Sequence, residues 1–163
     1  MNTINDIDFL REANEMAKQA KAAGNTPFGA VLAGPDKKIL LRQGNIEITE
    51  HDCTGHAECA LARRASKKYT KEFLWECTLY TTFEPCAMCC GAIYWANIGK
   101  VVYGTTEKRL LELTGDDDQN PTFDLPCRDI FERGQKKIEV VGPFLEFESE
   151  SVAPHIGFWN QSG

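Results

Sequence analysis

One histidine and a pair of cysteines in this chain have the types and spacing of a metal site. Cys86 and Cys89 lie in Pro85-Cys86-Ala87-Met88-Cys89-Cys90, and His56 opens His56-Ala57-Glu58, 30 positions before Cys86. Thiolate sulfur and imidazole nitrogen suit zinc, and three protein ligands leave a fourth position for water. At i, i+3 in the first turn of a helix, the two sulfurs face the same side. The helix N-terminus carries partial positive charge, which lowers the thiol pKa and favours the thiolates a metal requires. Pro85 suits the start of that helix, where a missing N–H costs nothing. Glu58, two residues after His56, points away from the ligand direction on a helix. From there it reaches a metal-bound water rather than the metal, as a proton carrier must.

A purely structural site would close with a fourth protein ligand, and Cys53, Cys59 and Cys90 are the candidates. Cys90 points about 100° round the helix from Cys89, and a closed site has no use for Glu58. Cys77 and Cys127 stand alone and read as small buried hydrophobes. His51 and His155 read as loop or surface histidines.

These groups need elements to position them. Asn5 to Ala23 reads as a helix, with Phe9, Leu10, Ala13, Met16, Ala17 and Ala20 at helical spacing and Gly24 as its stop. Phe28 to Ala33 and Ile39 to Arg42 read as a hairpin about Gly34-Pro35-Asp36. Thr49 to Gly55 is a polar loop, followed by a helix from about His56 to Lys68. A strand over Cys77 to Thr82, a helix from Cys86 to about Ala96, a strand over Lys100 to Tyr103 and a helix over Thr106 to Leu113 come next. Gly115 to Pro121 is an acidic, turn-rich loop. Ile130 to Arg133 reads as a short helix and Lys137 to Val141 as a fifth strand. The tail from Phe144 to Trp159 is mixed, with Glu146, Glu148 and Glu150 alternating with Leu145, Phe147 and Ser149. Alternating helices and strands predict one α/β domain over residues 1–163, with helices on both faces of a central sheet. Ligands on helices that follow strands place the site at the strands' C-terminal edge.

Composition bounds the partners. At 163 residues with 42% hydrophobic content, one domain with a proper core is expected. Lys and Arg number 18 against 24 Asp and Glu, giving a net charge of −6, a poor basis for binding nucleic acid. No apolar run approaches the ~18 residues of a membrane span. Met1 to Asp6 has neither a basic start nor an apolar stretch, so no signal peptide is expected. Seven cysteines, two of them adjacent, argue against a secreted disulfide framework and for a reducing, cytoplasmic setting.

His-x-Glu followed by Pro-Cys-x-x-Cys is the signature of zinc deaminases. From about Pro27 to about Asp117 the chain resembles the cytidine deaminase-like superfamily. Within it, Pro27-Phe28-Gly29-Ala30, Gly44-Asn45, Glu84-Pro85-Cys86-Ala87-Met88-Cys89 and Gly91-Ala92-Ile93 resemble the branch of guanine deaminases and tRNA adenosine deaminases. The resemblance implies a three-layer α/β/α sandwich with a five-stranded mixed sheet. It also implies one zinc ion on His56, Cys86 and Cys89, and hydrolytic release of ammonia with Glu58 as base and then acid. The backbone N–H groups of Ala57 and Cys86 would bind developing charge, Asn45 would hydrogen-bond the base, and Phe28 would stack near it.

Ile93-Tyr94-Trp95-Ala96 is similar to the guanine deaminase version of its helix, which implies that Trp95 lines the pocket. The Asp116-Asp117 pair would hold a purine N–H or amino group. The tail from about 144 to 163 would close the site with Glu146 or Glu148 and with Phe158 or Trp159. A small nucleobase or nucleoside is the implied substrate, a guanine-like purine first. Cytosine, tRNA adenosine and a non-catalytic zinc module are the alternatives, and a homodimer is the implied assembly. Thr49 to Gly55 replaces the usual Asp-Pro-Thr-Ala lead, and Asn120 to Arg133 and the tail depart from the guanine deaminase pattern.

Overall fold

The computed structural model describes residues 5–159. The Gln161-Ser162-Gly163 terminus lies outside them. Helix α1 (Asp6–Ala22) begins at a reciprocal cap: Asp8 N–H donates to Asn5 Oδ1 at 3.0 Å, and Asn5 N–H donates to Asp8 Oδ2 at 3.2 Å. Its buried face is Phe9, Leu10, Ala13, Asn14, Ala17 and Ala20, the set that helical spacing marks, apart from Asn14 in place of the half-buried Met16.

The strands are β1 (Gly29–Ala33), β2 (Ile39–Gly44), β3 (Thr78–Phe83), β4 (Lys100–Thr105) and β5 (Glu139–Val141), ordered β2-β1-β3-β4-β5. β1 runs antiparallel to both neighbours, whereas β3, β4 and β5 are mutually parallel. On β1, Val31 packs with α1 while Ala30 and Leu32 enter the larger core on the other face, the two-residue alternation of a pleated strand. That larger core takes in α2 (Ala57–Lys68), α4 (Ala87–Ala96) and α6 (Cys127–Phe131). Gly29 is required where α1 crosses β1: a Cβ there would stand 2.1 Å from the Ala13 carbonyl oxygen. The result is the three-layer sandwich on a five-stranded mixed sheet implied by the resemblance.

Parallel pairing is what builds the site's frame. It brings Phe83 beside Thr105, so the segments leaving β3 and β4 start at one sheet edge. They are tied together there: Glu84 N–H donates to the Thr105 carbonyl at 2.8 Å.

Three local readings need correction. Helix α3 (Lys71–Trp75), capped by Thr70 and anchored by buried Leu74, has no counterpart in the sequence reading. Five residues are too few for a periodic signal. The short helix expected at Ile130 to Arg133 lies earlier, at α6, because Pro126 caps it and Cys127 N–H is fixed by Glu84 Oε2 at 2.7 Å. The tail is helical rather than mixed: a 3-10 turn at Leu145–Phe147, α7 (Glu148–Val152) and a second turn at Ala153–His155. It docks on α1 through Arg11 Nε to Glu150 Oε1 (3.0 Å), Asn14 Nδ2 to the Glu150 carbonyl (2.9 Å) and Lys21 Nζ to the Pro154 carbonyl (2.7 Å). Contacts this distant in sequence leave no local pattern.

Candidate active site

His56 and Cys86 are the N-cap residues of α2 and α4, in extended backbone, and neither side chain caps its own helix. Their donor atoms are therefore free of the job a cap residue usually has. Pro85 consequently precedes the cap instead of opening the helix. The packing of α2 against α4 brings the two helix starts together. His56 Nδ1 stands 3.5 Å from Cys86 Sγ and 3.6 Å from Cys89 Sγ. Tetrahedral zinc with bonds of about 2.1 Å to nitrogen and 2.3 Å to sulfur has an N···S edge of about 3.6 Å. The donor set and its spacing fit that metal.

Among the described residues, these three form the one Cys, His, Asp or Glu group whose ligand atoms lie within 4.8 Å of one another. Cys53, Cys59 and Cys90 fall outside it, so among the described residues no fourth ligand atom joins the group. Cys90 instead turns its thiol to the Pro85 carbonyl at 3.4 Å.

The electrostatics of the cluster favour one thiolate, at Cys86. Hydrogen bonding from Cys89 pulls Cys86 down to about 4, against the opposing effect of burial and with help from His56. Burial acts to lower His56, but the hydrogen bond and charge of Cys86 prevail and carry it up to about 9. Cys89, bonded by Cys59 and Cys86 and deeply buried, is pushed well above the usual thiol range. Glu58 is 6% exposed, and burial followed by the Cys86 charge raises it to about 7.

Glu58, His56 and Cys86 line a cavity of about 300 Å³, walled further by Phe28, Phe83, Leu110 and the segment from Gln119 to Phe123. Three other glutamates border it. Glu84 is satisfied on both oxygens by backbone donors: Glu107 N–H to Oε1 (2.9 Å) and Cys127 N–H to Oε2 (2.7 Å). Glu47 accepts from Thr26 Oγ1 (3.2 Å) and Asn45 Nδ2 (3.3 Å). Glu107 opens α5 (Glu107–Thr114) and is 3% exposed, and its Oε2 has no hydrogen-bond partner. Burial and then the charges of Cys86, Glu84 and Glu58 push its carboxyl up to about 9.

The remaining expected contacts divide. Phe28 lines the cavity. Ala57 is buried in the first turn of α2 beside His56. Asn45 is buried one layer behind, its Oδ1 accepting from Glu47 N–H at 3.0 Å, and Glu47 takes the place at the wall. Trp95 is not at the wall: it lies six residues past Cys89, about 120° round the helix, and is 73% exposed. Asp117 is buried, but its Oδ1 accepts from Gln119 N–H at 2.9 Å and shapes the turn that sends Gln119 to Phe123 over the cavity. Glu148 lies on α7, 3.9 Å from Arg109 Nε, and Glu146 on the preceding turn; neither reaches the cavity.

Trp159 packs behind the wall. Its ring lies 6.1 Å from Phe28, its Nε1 donates to His155 Nδ1 at 2.8 Å, and Phe158 meets it edge-on at 4.7 Å. No described tail residue lines the cavity; its cover is the Gln119 to Phe123 segment. His155 is the other correction. It is 2% exposed, wedged against Phe28 and Phe83, and burial drives its pKa down to about 3. His51 is exposed, as expected.

The sequence reading missed Glu47, Glu84, Glu107 and the Gln119 to Phe123 cover. Glu84 did leave a signal, an acid ending an apolar strand. Glu107 left none, because an acid in the first turn of a helix needs no further reason.

An α/β/α sandwich carrying a His, Cys, Cys cluster and a buried glutamate at the edge of one cavity defines the class of zinc-dependent deaminases. The family model described as the cytidine and deoxycytidylate deaminase zinc-binding region matches residues 3–105, and the chain belongs to that family. It is similar to a probable cytosine deaminase of Schizosaccharomyces pombe, 37% identical over 155 residues that cover 95% of this chain and 93% of the relative. It is also similar to the guanine deaminase of Bacillus subtilis, 39% identical over 70% of this chain and 73% of that one. Among solved structures, one from work on A-to-I editing by tRNA:A34 deaminases superposes with a TM-score of 0.70 at 30% identity, covering 91% of this chain and 99% of the other.

Proposed function

We propose that the protein hydrolytically deaminates a free, amino-substituted nucleobase, with a guanine-like purine as its first candidate substrate. The observation that carries this reading is the charge of the wall. Glu47, Glu58, Glu84 and Glu107 line the cavity, and no Lys or Arg does among the described residues. A phosphate would meet no compensating cation there, whereas a neutral ring rich in N–H donors meets acceptors. A cavity of about 300 Å³ suits a base, and the net charge of −6 opposes a tRNA backbone.

His56, Cys86 and Cys89 would hold the zinc, which supplies Lewis acidity and so makes hydroxide available at neutral pH. Glu58 accepts a proton from the attacking water, passes it to a ring nitrogen, and returns one to the departing amine. Water and the aminated ring thus become the oxo ring and ammonia. The Ala57 and Cys86 backbone N–H groups, at helix starts, face developing negative charge. Phe28 and Phe83 supply the apolar walls that a ring plane needs.

Cytosine is the second reading. The relative matched over nearly its whole length carries that name, and Trp95, Asp117 and Glu148 stand off the cavity. Ammonia release from guanine, guanosine, cytosine and adenine, each offered to zinc-loaded protein, separates the two. Turnover of guanine alone supports the purine, and turnover of cytosine alone replaces it. If only an anticodon stem-loop is processed, the free-base reading is lost.

The outward face of α4, carrying Met88, Gly91, Ala92 and Trp95, would receive a second copy in the homodimer that the family resemblance implies. Sedimentation of Trp95→Asp as a monomer beside a dimeric parent tests it. A cytoplasmic setting belongs to the same reading.

A further inference from the structure

Glu107 presents an unexplained cost. Its carboxyl is almost wholly buried, one oxygen has no partner, and its neighbours include Glu84, Glu58 and Cys86. Burying a polar atom without a hydrogen bond is unfavourable, and nearly every such atom in a folded protein is satisfied. The Glu107 backbone already serves the fold by donating to Glu84, so the side chain is not required for that tie. Groups that break a local rule without compensation collect at functional sites. The residue lines the cavity that holds Glu58 and the His56–Cys86 pair.

We propose that Glu107 is a specificity-determining residue whose carboxyl accepts a ring N–H of the substrate, selecting bases with an unsubstituted lactam edge, –NH–C(=O)–. This inference rests on the free-base reading above and names the chemistry by which the cavity makes that choice. Guanine and cytosine both carry a lactam N–H beside a carbonyl, and adenine carries none. Held largely neutral at pH 7, the carboxyl would also donate its O–H to the adjacent carbonyl and pair with both atoms of the edge. A site built to bond such an N–H rejects an analogue lacking it far more strongly than an apolar pocket rejects a methyl group.

The test compares the wild-type holoenzyme with Glu107→Gln and Glu107→Ala. It measures kcat/KM for whichever base is used and for that base methylated on the lactam nitrogen, zinc content and Tm. It also measures the Kd of the oxo product by calorimetry. The expected result is that wild type disfavours the methylated base by at least 100-fold. Glu107→Ala should lose at least 10-fold on the parent base and narrow that preference to within about 3-fold. Glu107→Gln, whose amide carbonyl and N–H can pair with the same two atoms, should keep zinc, the wild-type Tm or a higher one, and the methyl discrimination, binding the product within about 3-fold of wild type.

If both variants stay within 2-fold of wild type in kcat/KM and in methyl discrimination, the inference is overturned while the free-base reading stands. A large fall in Tm with discrimination intact assigns Glu107 to folding and overturns it equally. Turnover of no free base by wild type removes both readings together.

Discussion

The two walls of the cavity are built on different terms. The metal wall comes from the starts of α2 and α4, where His56 and Cys86 occupy N-cap positions and Cys89 sits one turn on. The opposing set, from Glu84 through Glu107 to the Gln119–Phe123 cover, is held by contacts between distant segments. Glu84 and Glu107 show the contrast at its sharpest. Both are buried glutamates on the cavity, yet Glu84 has two backbone donors and Glu107 has an oxygen with none. Function of the first wall depends on local geometry; the second divides its acids between holding the fold and facing the ligand.

The largest effect should come from the metal wall. Glu58→Gln removes the proton carrier while leaving His56, Cys86 and Cys89 in place. Activity should fall by about 10²–10⁴, with one zinc per chain still present by atomic emission and Tm held. Cys86→Ala should lose zinc and activity together. Near-normal turnover in Glu58→Gln would falsify the assignment of that residue.

Glu84→Ala attacks the comparison from the other side. It strips the acceptor from two buried N–H groups, each hydrogen bond to a charged group being worth about 1.5–3 kcal/mol. We expect a loss of about 3–5 kcal/mol in stability, or a fall in Tm of roughly 10 °C. Chemical denaturation of Glu84→Ala beside Glu107→Gln measures the contrast directly. Equal destabilisation of the two would erase it.

The metal wall was legible in the sequence because its pattern is local. His56-Ala57-Glu58 and the Cys86–Cys89 spacing each fit within one helical turn, and the strands around them carry plain apolar runs. The resemblance then added the sheet and the class. What stayed hidden depends on chain segments far apart. Glu84 reaches Cys127, 43 positions on; the tail reads as alternating acids and apolars, and becomes helical against α1. Trp95 fits the guanine deaminase motif, but helical rotation turns it outward. His155 looked like a loop histidine because nothing near it in sequence announces Phe28 and Phe83.

That histidine gives the third prediction. His155 has a folded pKa near 3 against the ordinary 6.5, so between those values the unfolded chain binds a proton that the folded chain refuses. Unfolding free energy therefore rises with pH across that window. The contribution is complete above about 6.5 and is lost as pH falls towards 3. The slope from one such group is at most about 1.4 kcal/mol per pH unit. Urea titrations of zinc-loaded wild type and His155→Gln at intervals from pH 7.5 to 5 should show the wild type steeper. Taking the difference cancels the acid sensitivity shared at the metal. Parallel profiles would mean that the ring charges without cost, and that the aromatic support behind Phe28 is looser than it looks.

The smallest effect belongs to the cover. Phe123 lines the cavity yet is 55% exposed, so little stability rests on it, and Phe123→Ala should change Tm by only a degree or two. Its ring would add apolar area to one side of a bound base. Contact of that kind is made equally in the ground state and the transition state. Removing it should raise KM by roughly 3- to 10-fold and leave kcat unchanged. A fall in kcat at constant KM would place the cover in the chemical step, and the division between a chemical wall and a selecting wall would have to be redrawn.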